Sequence, residues 1–321
     1  MASRPAEEFV QELTRCDQET WNGAVEEIAQ QTHPVDQSAL RIWFRFWPLS
    51  LCEALEKSPD PDQTAKELEL DGNWKLEEQI DSSIAFFYAA RYWPRIKEAV
   101  LARAESASAS QSGLAEHARQ VAGQASQSCQ AGPALLLGLS LAALMMLRQV
   151  GFAALYEKRS SAAQGATGKR SPQQVLTARK RASGGFFDFL KGAARNYRVV
   201  WDESRAEGAS FQVLQGQDIS WAAAQVEGDY TSIDPRRIEG PIPAQCRSAA
   251  CGYCWVGVLH GQDNLSPASA FEQRRMRYFG YLPRDGKDHQ QPLIRLSCQA
   301  KCQGDVTIVV APWNGVLDGQ R

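Results

Sequence analysis

The sequence predicts a chain of two parts, an all-α N-terminal domain followed by an α+β C-terminal domain. Apolar residues recur at helical spacing from residue 6 to about residue 103, whereas beyond residue 196 they alternate with polar residues as in half-buried strands. The 321 residues are 44% hydrophobic, which is enough to bury two cores. We therefore expect a helical domain over 1–157, a basic flexible linker over 158–185 and an α+β domain over 186–321.

The helical part is predicted to consist of several amphipathic helices. Larger helices are expected over 37–57 and over 74–103, with a kink at Pro94. Its many aromatic residues lie at helical spacing, which is more typical of a core than of a cofactor pocket. The sequence shows no glycine-rich phosphate loop, no paired catalytic carboxylates and no nucleophile elbow here. We therefore expect an interaction domain and not an enzyme.

Residues 133–156 are predominantly apolar and contain one charged residue, Arg148, and together they have the length of a membrane helix. An arginine near the middle of a crossing costs about 2.5 to 3.5 kcal/mol. The pattern therefore favours a central helix that is buried on all sides within the N-terminal domain. Contact with a membrane surface is the alternative, because a basic stretch follows directly.

That basic stretch forms the predicted linker. Residues 148–198 contain 11 basic and 2 acidic side chains, whereas residues 1–105 contain 11 basic and 20 acidic ones. Ser, Ala and Gly dominate 160–171, which is typical of a solvated linker. No nucleic-acid-binding motif frames the basic residues, so we expect no nucleic-acid partner. Gly184 and Gly185 mark the next boundary, and a short apolar element over 186–190 follows it.

The C-terminal domain is predicted to be a small mixed sheet with short helices. Strands are expected at 197–201, 210–214, 255–259, 293–297 and 305–310, with helices at 219–225 and 268–280. A connection rich in proline and glycine leads from the first helix towards residue 246.

Cysteines form the one motif with a metal-ligand spacing. Cys246, Cys251 and Cys254 are separated by four and then two residues, and Cys298 or Cys302 can supply a fourth thiolate. This spacing is typical of plant-type [2Fe–2S] sites. Buried apolar thiols, disulfides and a zinc site are the alternatives, although zinc sites usually pair two short knuckles or use histidine. The other cysteines, at 16, 52 and 129, have no such spacing and are expected to be reduced thiols in a cytoplasmic protein.

The residues between these cysteines suit an anionic cluster. Ser248, Ala249, Ala250 and Gly252 are small, so the loop can wrap closely and turn backbone N–H groups towards sulfur. Arg247 adds positive charge beside the first ligand. A low-potential one-electron centre, near about −400 mV, is expected from such a loop.

Residues 197–311 resemble the plant-type [2Fe–2S] ferredoxin domain of the β-grasp fold. The matching segments are Pro243 to Arg247, Cys251 to Gly261 with Asn264, Leu265, Ser266 and Glu272, Arg295 to Gln299, and Gly304 to Ile308. The resemblance implies that Cys298 is the fourth ligand, because it lies between Arg-Leu-Ser and Gln. Where the family commonly has glycine, this chain has Ala249, and we expect that residue to keep a negative φ if the loop binds a cluster.

The function implied is electron transfer. The resemblance suggests one [2Fe–2S] cluster that exchanges one electron with a redox partner protein, which the helical domain docks. A redox or oxygen sensor, in which cluster state controls the helical domain, is the alternative. A membrane-associated redox subunit is a further one. The sequence names neither the partner nor the oligomeric state.

Overall fold

The computed structural model describes residues 3–106, 112–163, 170–182, 195–204 and 209–315, and these fold as two compact units. The first unit lies within Met1–Cys52 and Lys75–Lys169, and the second within Glu53–Trp74 and Arg170–Arg321. Residues 53–74 were predicted with the N-terminal helices, but they fold with the C-terminal part of the chain. The sequence-based division into helical and α+β parts is otherwise confirmed.

The N-terminal part is built from helices. They are α1 (Arg4–Arg15), α2 (Gln18–Gln31), α3 (Gln37–Phe46), α4 (Leu49–Glu56), α5 (Pro61–Glu67, in the second unit), α6 (Trp93–Ser106), α7 (Leu114–Ser128) and α8 (Pro133–Glu157). Short 3₁₀ turns cover Leu76–Gln79 and Tyr88–Tyr92. Trp21, Trp43 and Trp93 are fully buried in the first unit, so its aromatic residues do form a core as predicted.

Helix α8 is the central helix of this unit, as the sequence predicted. It packs against α1, α2, α3, α6 and α7. Among the described residues it alone has the length and hydropathy of a membrane-crossing helix, and 78% of its most apolar stretch is buried inside the fold. Arg148 is buried as well, and its Nη1 lies 3.1 Å from the sulfur of Cys52.

Two predicted helices differ from the structure. The helix expected over 37–57 is interrupted at Trp47 and Pro48, and the first half of the helix expected over 74–103 is irregular. There the carboxylate of Asp36 accepts the backbone N–H groups of Tyr88 and Ala89 at 2.6 and 2.8 Å, which holds a tight turn in place of a helix. Pro94 begins α6 and does not kink it, because proline fits the first turn of a helix.

The second unit contains a five-stranded mixed sheet. Its strands are β2 (Asn196–Val200), β3 (Ser210–Leu214), β4 (Trp255–His260), β5 (Ile294–Leu296) and β6 (Val306–Val310), in the order β3-β2-β6-β4-β5. Strands β2 and β6 run parallel, and the other neighbours run antiparallel. All five predicted strands are thus confirmed, as are the helices α10 (Ile219–Ala223) and α11 (Ala270–Tyr278).

A second, two-stranded sheet brings residues 53–74 into this unit. It pairs β1 (Asp71–Gly72) with β7 (Trp313–Asn314). A Cβ on Gly72, whose φ is +105°, would lie 2.5 Å from the carbonyl oxygen of Pro312. Arg236 is buried beside this sheet, where its side chain bonds both carboxylate oxygens of Asp234 and the carbonyl oxygen of Ala311. These contacts tie the long 225–245 connection to the end of the main sheet.

The predicted linker is in part an ordered helix. Residues Pro172–Ala182 form α9, and Arg179 is buried with its Nε 2.9 Å from Glu203. The flexible linker predicted over 158–185 is therefore wrong for these residues. Residues 164–169 and 183–185 of the predicted linker, which include Gly184 and Gly185, lie outside the described residues, as does the apolar element predicted at 186–190.

The buried His117 should make the first unit sensitive to acid. Burial lowers the pKa of this imidazole, and the nearby Arg103 guanidinium lowers it further, although Glu12 opposes them. Below the usual histidine pKa of about 6.5, the unfolded chain therefore binds more protons than the folded chain, and stability is lost as the pH falls through the folded pKa. We expect the free energy of unfolding to fall between pH 7 and pH 5, and His117→Gln to flatten that fall.

Urea unfolding followed by far-ultraviolet circular dichroism measures this, since that signal comes mainly from the helices. An unchanged pH dependence in His117→Gln would show that the imidazole is protonated equally in both states.

Candidate metal centre

The cysteine loop lies at the start of β4, and the sheet brings Cys298 to it. Trp255 on β4 is opposite Leu296 on β5, and the backbone N–H of Ser297 donates to the carbonyl oxygen of Cys254 at 2.9 Å. Cys298 follows directly. Antiparallel pairing of β4 with β5 therefore places Cys254 and Cys298 side by side, although 43 residues separate them in the sequence.

The backbone of the loop is turned inwards by three left-handed residues. Arg247, Ala249 and Gly252 have φ values of +54°, +59° and +67°. The N–H groups of Ser248 and Cys251 consequently point at the sulfur of Cys246, at 3.4 and 3.3 Å. Successive N–H groups turned to one side form a concave site for anions. The loop thus has the form that thiolate ligands require.

The backbone at Ala249 differs from the sequence-based expectation. A negative φ was expected at this residue, but its φ is +59°. This conformation costs a non-glycine residue about 1 to 2 kcal/mol. The cost is offset by tertiary contacts, because the guanidinium of Arg275 donates to the carbonyl oxygens of both Ala249, at 3.1 Å, and Ala250. Here the fold and not the local preference of alanine decides the backbone.

The four predicted sulfur ligands lie as two pairs. The Cys251 side chain lowers the pKa of Cys246, and the Cys254 side chain lowers the pKa of Cys298, so each of these cysteines has its neighbour close by. The two pairs are near each other, because negative charge on Cys246 raises the pKa of Cys298. In the part of the chain that the structure describes, no three Cys, His, Asp or Glu side chains converge so as to hold a single metal ion. Two pairs are what a binuclear site uses, since each tetrahedral iron bridged by two sulfides has two positions left.

Hydrogen bonds stabilise the charged form of two of these thiols. Burial raises the pKa of Cys246, but donors from Ser248 and Cys251 outweigh it and hold the pKa at about 6. In the second pair, the Cys254 thiol donates to Cys298, which lowers the pKa of Cys298 and raises that of Cys254. Each pair therefore already contains one sulfur that favours the thiolate.

Cys298 has further donors that an anionic ligand needs. The Gln299 side-chain amide lies 3.5 Å from its sulfur, and the Ala249 N–H lowers its pKa. Beside it, the buried hydroxyl of Ser297 lies near the sulfur of Cys254, and as a hydrogen-bond donor it opposes the rise in the pKa of Cys254.

Cys302 lies elsewhere. It is fully buried in the core of the second unit, among residues such as Val199, Phe211 and Ile308. Burial, together with the charges of Asp305 and Asp218, raises its pKa to about 12. A thiol that resists ionisation and is surrounded by aliphatic side chains is a packing residue. The structure thus brings Cys298, and not Cys302, to the cysteine loop.

An aromatic wall closes the buried side of the site. Trp255 makes edge contacts with Phe279 and Tyr281, at centroid distances of 5.1 and 4.7 Å, and all three are buried. A Cβ on Gly252 would lie 2.1 Å from the Phe279 ring, so only glycine permits this approach. The wall therefore packs against the cysteine loop at Gly252.

A buried ion pair holds β5 against α11. Arg295 and Glu272 form two parallel bonds of 2.9 and 3.0 Å, and Arg295 also donates to the carbonyl oxygen of Ser266. The same carboxylate accepts the backbone N–H of Leu296 at 3.1 Å. A buried ion pair is tolerated when its two groups form two parallel hydrogen bonds and their other polar atoms also have hydrogen-bond partners. It fixes Cys298, two residues beyond Leu296, relative to the helix that carries Arg275.

Two residues of the loop are directed away from the sulfurs. The guanidinium of Arg247, expected as a nearby positive charge, bonds Glu239 and lies 4.6 Å from the centroid of the Trp221 ring. Tyr253 donates its hydroxyl to Asp71 of the 53–74 segment. Burial and this bond raise the pKa of Tyr253 to about 12, so it remains a neutral donor. Sequence reasoning missed Asp71, Phe279 and Arg275, because each reaches the loop from a distant segment without any spacing signal.

Compared with known proteins, the chain matches no family model, no curated protein and no solved structure. The ferredoxin resemblance therefore depends on the residues and geometry of this chain alone.

Substitution of Gly252 tests the close packing of the loop. Gly252→Ala and Gly286→Ala both place alanine at a φ near +70°, but a Cβ at Gly286 meets nothing within 4 Å. Both variants therefore lose about 1 to 2 kcal/mol from backbone strain. Gly252→Ala should lose about 1 to 3 kcal/mol more, because the methyl group overpacks the Phe279 ring.

Hydrogen exchange of the β4 amides reports the unfolding of the second unit separately from the first. Equal losses in the two variants would show that the loop does not lie against Phe279.

Proposed function

We propose that this chain is an electron-transfer protein that binds one [2Fe–2S] cluster through Cys246, Cys251, Cys254 and Cys298. The observation that carries the proposal is the arrangement of these thiols as two neighbouring pairs, at a loop whose N–H groups point at sulfur. When bound, such a cluster supplies one-electron oxidation and reduction. The proposal includes a cytoplasmic location and no catalytic role of its own.

The topology of the second unit supports a β-grasp, ferredoxin-like fold. Two antiparallel pairs, β2 with β3 and β4 with β5, flank β6, which is parallel to β2. The cysteine loop enters at β4, and the fourth cysteine follows β5. This is the order of elements that the resemblance implied, and the sheet register accounts for why a cysteine so far along the chain reaches the loop.

The chain's own residues would do two things for a bound cluster. The left-handed backbone at Arg247, Ala249 and Gly252 aims N–H groups that offset the negative charge of thiolates and sulfides. The wall of Trp255, Phe279 and Tyr281 keeps water from one side. Low solvent access and hydrogen bonds to sulfur are the means by which proteins set the potential of such centres.

The site is asymmetric in its access to solvent. Cys254 and Cys298 are only 3% and 7% exposed, whereas Cys246, Ser248 and Ala250 are exposed to solvent. Electron exchange is favoured where the distance to a partner is smallest. We therefore assign electron entry and exit to the edge formed by Cys246, Ser248 and Ala250. For the helical unit we propose the role of an interaction domain.

Replacement of Cys298 tests the ligand set. After anaerobic reconstitution with ferrous iron and sulfide, Cys298→Ser should lose the visible absorption and the reduced-state EPR signal of the wild-type protein, because one position on one iron is then without a thiolate. Cys302→Ala is the matched control, since it avoids burying a hydroxyl in the core, and it should retain both signals.

A cluster that survives in Cys298→Ser but is lost in Cys302→Ala would overturn the assignment. Circular dichroism of both apoproteins checks that each variant is folded.

A further inference from the structure

Helix α11 carries on its outer face a row of two arginine side chains between two aromatic ones. The row consists of Phe271, Arg274, Arg275 and Tyr278. The guanidinium carbon of Arg274 lies 5.2 Å from the centroid of the Phe271 ring, and that of Arg275 lies 5.2 Å from the Tyr278 ring. Phe271 is 42% exposed, and Arg274 is exposed as well. We call this surface the arginine row.

The arginine row borders the exposed edge of the cysteine loop. Arg275 bonds the carbonyl oxygens of Ala249 and Ala250, which lie between Cys246 and Cys251 in the loop. Ala250 and Cys246 are themselves exposed. A molecule that approaches this edge closely enough to exchange an electron therefore meets the arginine row.

The charges of Arg274 and Arg275 are not paired within the described part of the fold. Neither residue makes an ion pair with a carboxylate there, whereas the neighbouring Arg277 lies close enough to Asp288 to lower the pKa of that carboxyl group. The nearest following acids have other partners: Asp285 accepts from His289 and Asp288 from Gln273. Several uncompensated positive charges at one surface attract an anionic partner and suppress a cationic one.

The opposite side of the loop is apolar. Trp221 is 49% exposed beneath the Arg247 guanidinium, and Ile238, next to Glu239, is 78% exposed. Exposed aromatic and aliphatic side chains with arginines between them are the composition of protein interfaces. Nucleic-acid interfaces are more polar, so this flank favours a protein.

We propose that the arginine row and the loop edge dock an acidic surface of the protein that exchanges an electron with this chain. The inference depends on the proposed electron-transfer function and adds the charge of the partner to it. Guanidinium groups that already lie over aromatic rings lose little freedom on binding, and they bind carboxylates with two parallel bonds. The row therefore suits Asp and Glu side chains on a partner.

Small redox ions test the charge at the edge. The reduced, reconstituted full chain is oxidised with ferricyanide, an anion, and in parallel with hexaamminecobalt(III), a cation; each accepts one electron from the protein. The ionic strength is about 10 mM, where the Debye length is about 30 Å. Under this condition ferricyanide should oxidise the wild-type protein about fivefold to tenfold faster than the Arg274→Glu variant. Hexaamminecobalt(III) should show the opposite order, oxidising the Arg274→Glu variant faster than the wild-type protein.

Two further variants make the result specific. Arg274→Gln removes one charge where Arg274→Glu reverses it, so it should give about half of the logarithmic effect. Arg198→Glu is the matched control. Arg198 is exposed on β2, which lies next to the edge of the sheet opposite β5. The control should leave both rates within about twofold of wild type. Equal effects of Arg198→Glu and Arg274→Glu would overturn the proposal, since total charge alone would then account for the rates.

Binding to polyanions provides a readout without the cluster. The apoprotein is titrated with poly-L-glutamate and with single-stranded oligo-dT of the same charge, followed by tryptophan fluorescence. The proposal predicts that poly-L-glutamate binds, that Arg274→Glu weakens it at least about fivefold, and that added salt does the same. Tighter binding of oligo-dT, or no effect of Arg274→Glu, would contradict an acidic protein partner.

Failure of this inference is distinguishable from failure of the proposed function. A chain that assembles no cluster refutes the function. A chain that assembles and cycles a cluster, but oxidises at the same rate in wild type and Arg274→Glu with either ion, keeps the function and refutes the docking surface.

Discussion

The organising constraint of this protein is the inward turn of a short loop. Three residues with positive φ, two of them not glycine, direct N–H groups at the sulfur of Cys246 and towards Cys298. Such a backbone is unfavourable by itself. It persists because Arg275 bonds two of its carbonyl oxygens and because Phe279 fills the space that a glycine at 252 leaves open. Helix α11 thus holds the loop in the shape that anionic sulfur needs.

The same helix gives the site its two unlike sides. Its buried face positions Cys298 through Glu272 and Arg295, and Phe279, which directly follows the helix, completes the aromatic wall. Its outer face carries Arg274 and Arg275, which have no carboxylate partner among the described residues, and Arg275 reaches the loop. We propose that this outer side docks an anionic partner. Both properties of the second unit therefore follow from one nine-residue helix placed between β4 and β5.

Much of this could be predicted from short stretches of sequence. The strands of the second unit are recognisable because their alternation is local, and the cysteine spacing is recognisable because three ligands of one loop must lie close together. The interactions that decide the loop's conformation come from far along the chain. Arg275 gives no spacing signal, and the sign of φ at Ala249 depends on it. The kink predicted at Pro94 is wrong for a related reason: proline fits both a kink and a helix start, and where the helix begins does not follow from the local sequence. The pairing of Asp71 with Asn314 is likewise invisible in either segment alone.

The central claim is that paired thiols hold two irons bridged by sulfide. Metal and acid-labile sulfide analysis of the full chain, purified without oxygen and combined with Mössbauer spectroscopy, tests it most directly. We expect two irons and two sulfides per chain, with both irons in tetrahedral sulfur sites and one of them becoming ferrous on one-electron reduction. One zinc ion per chain without sulfide, or iron without labile sulfide, would contradict it.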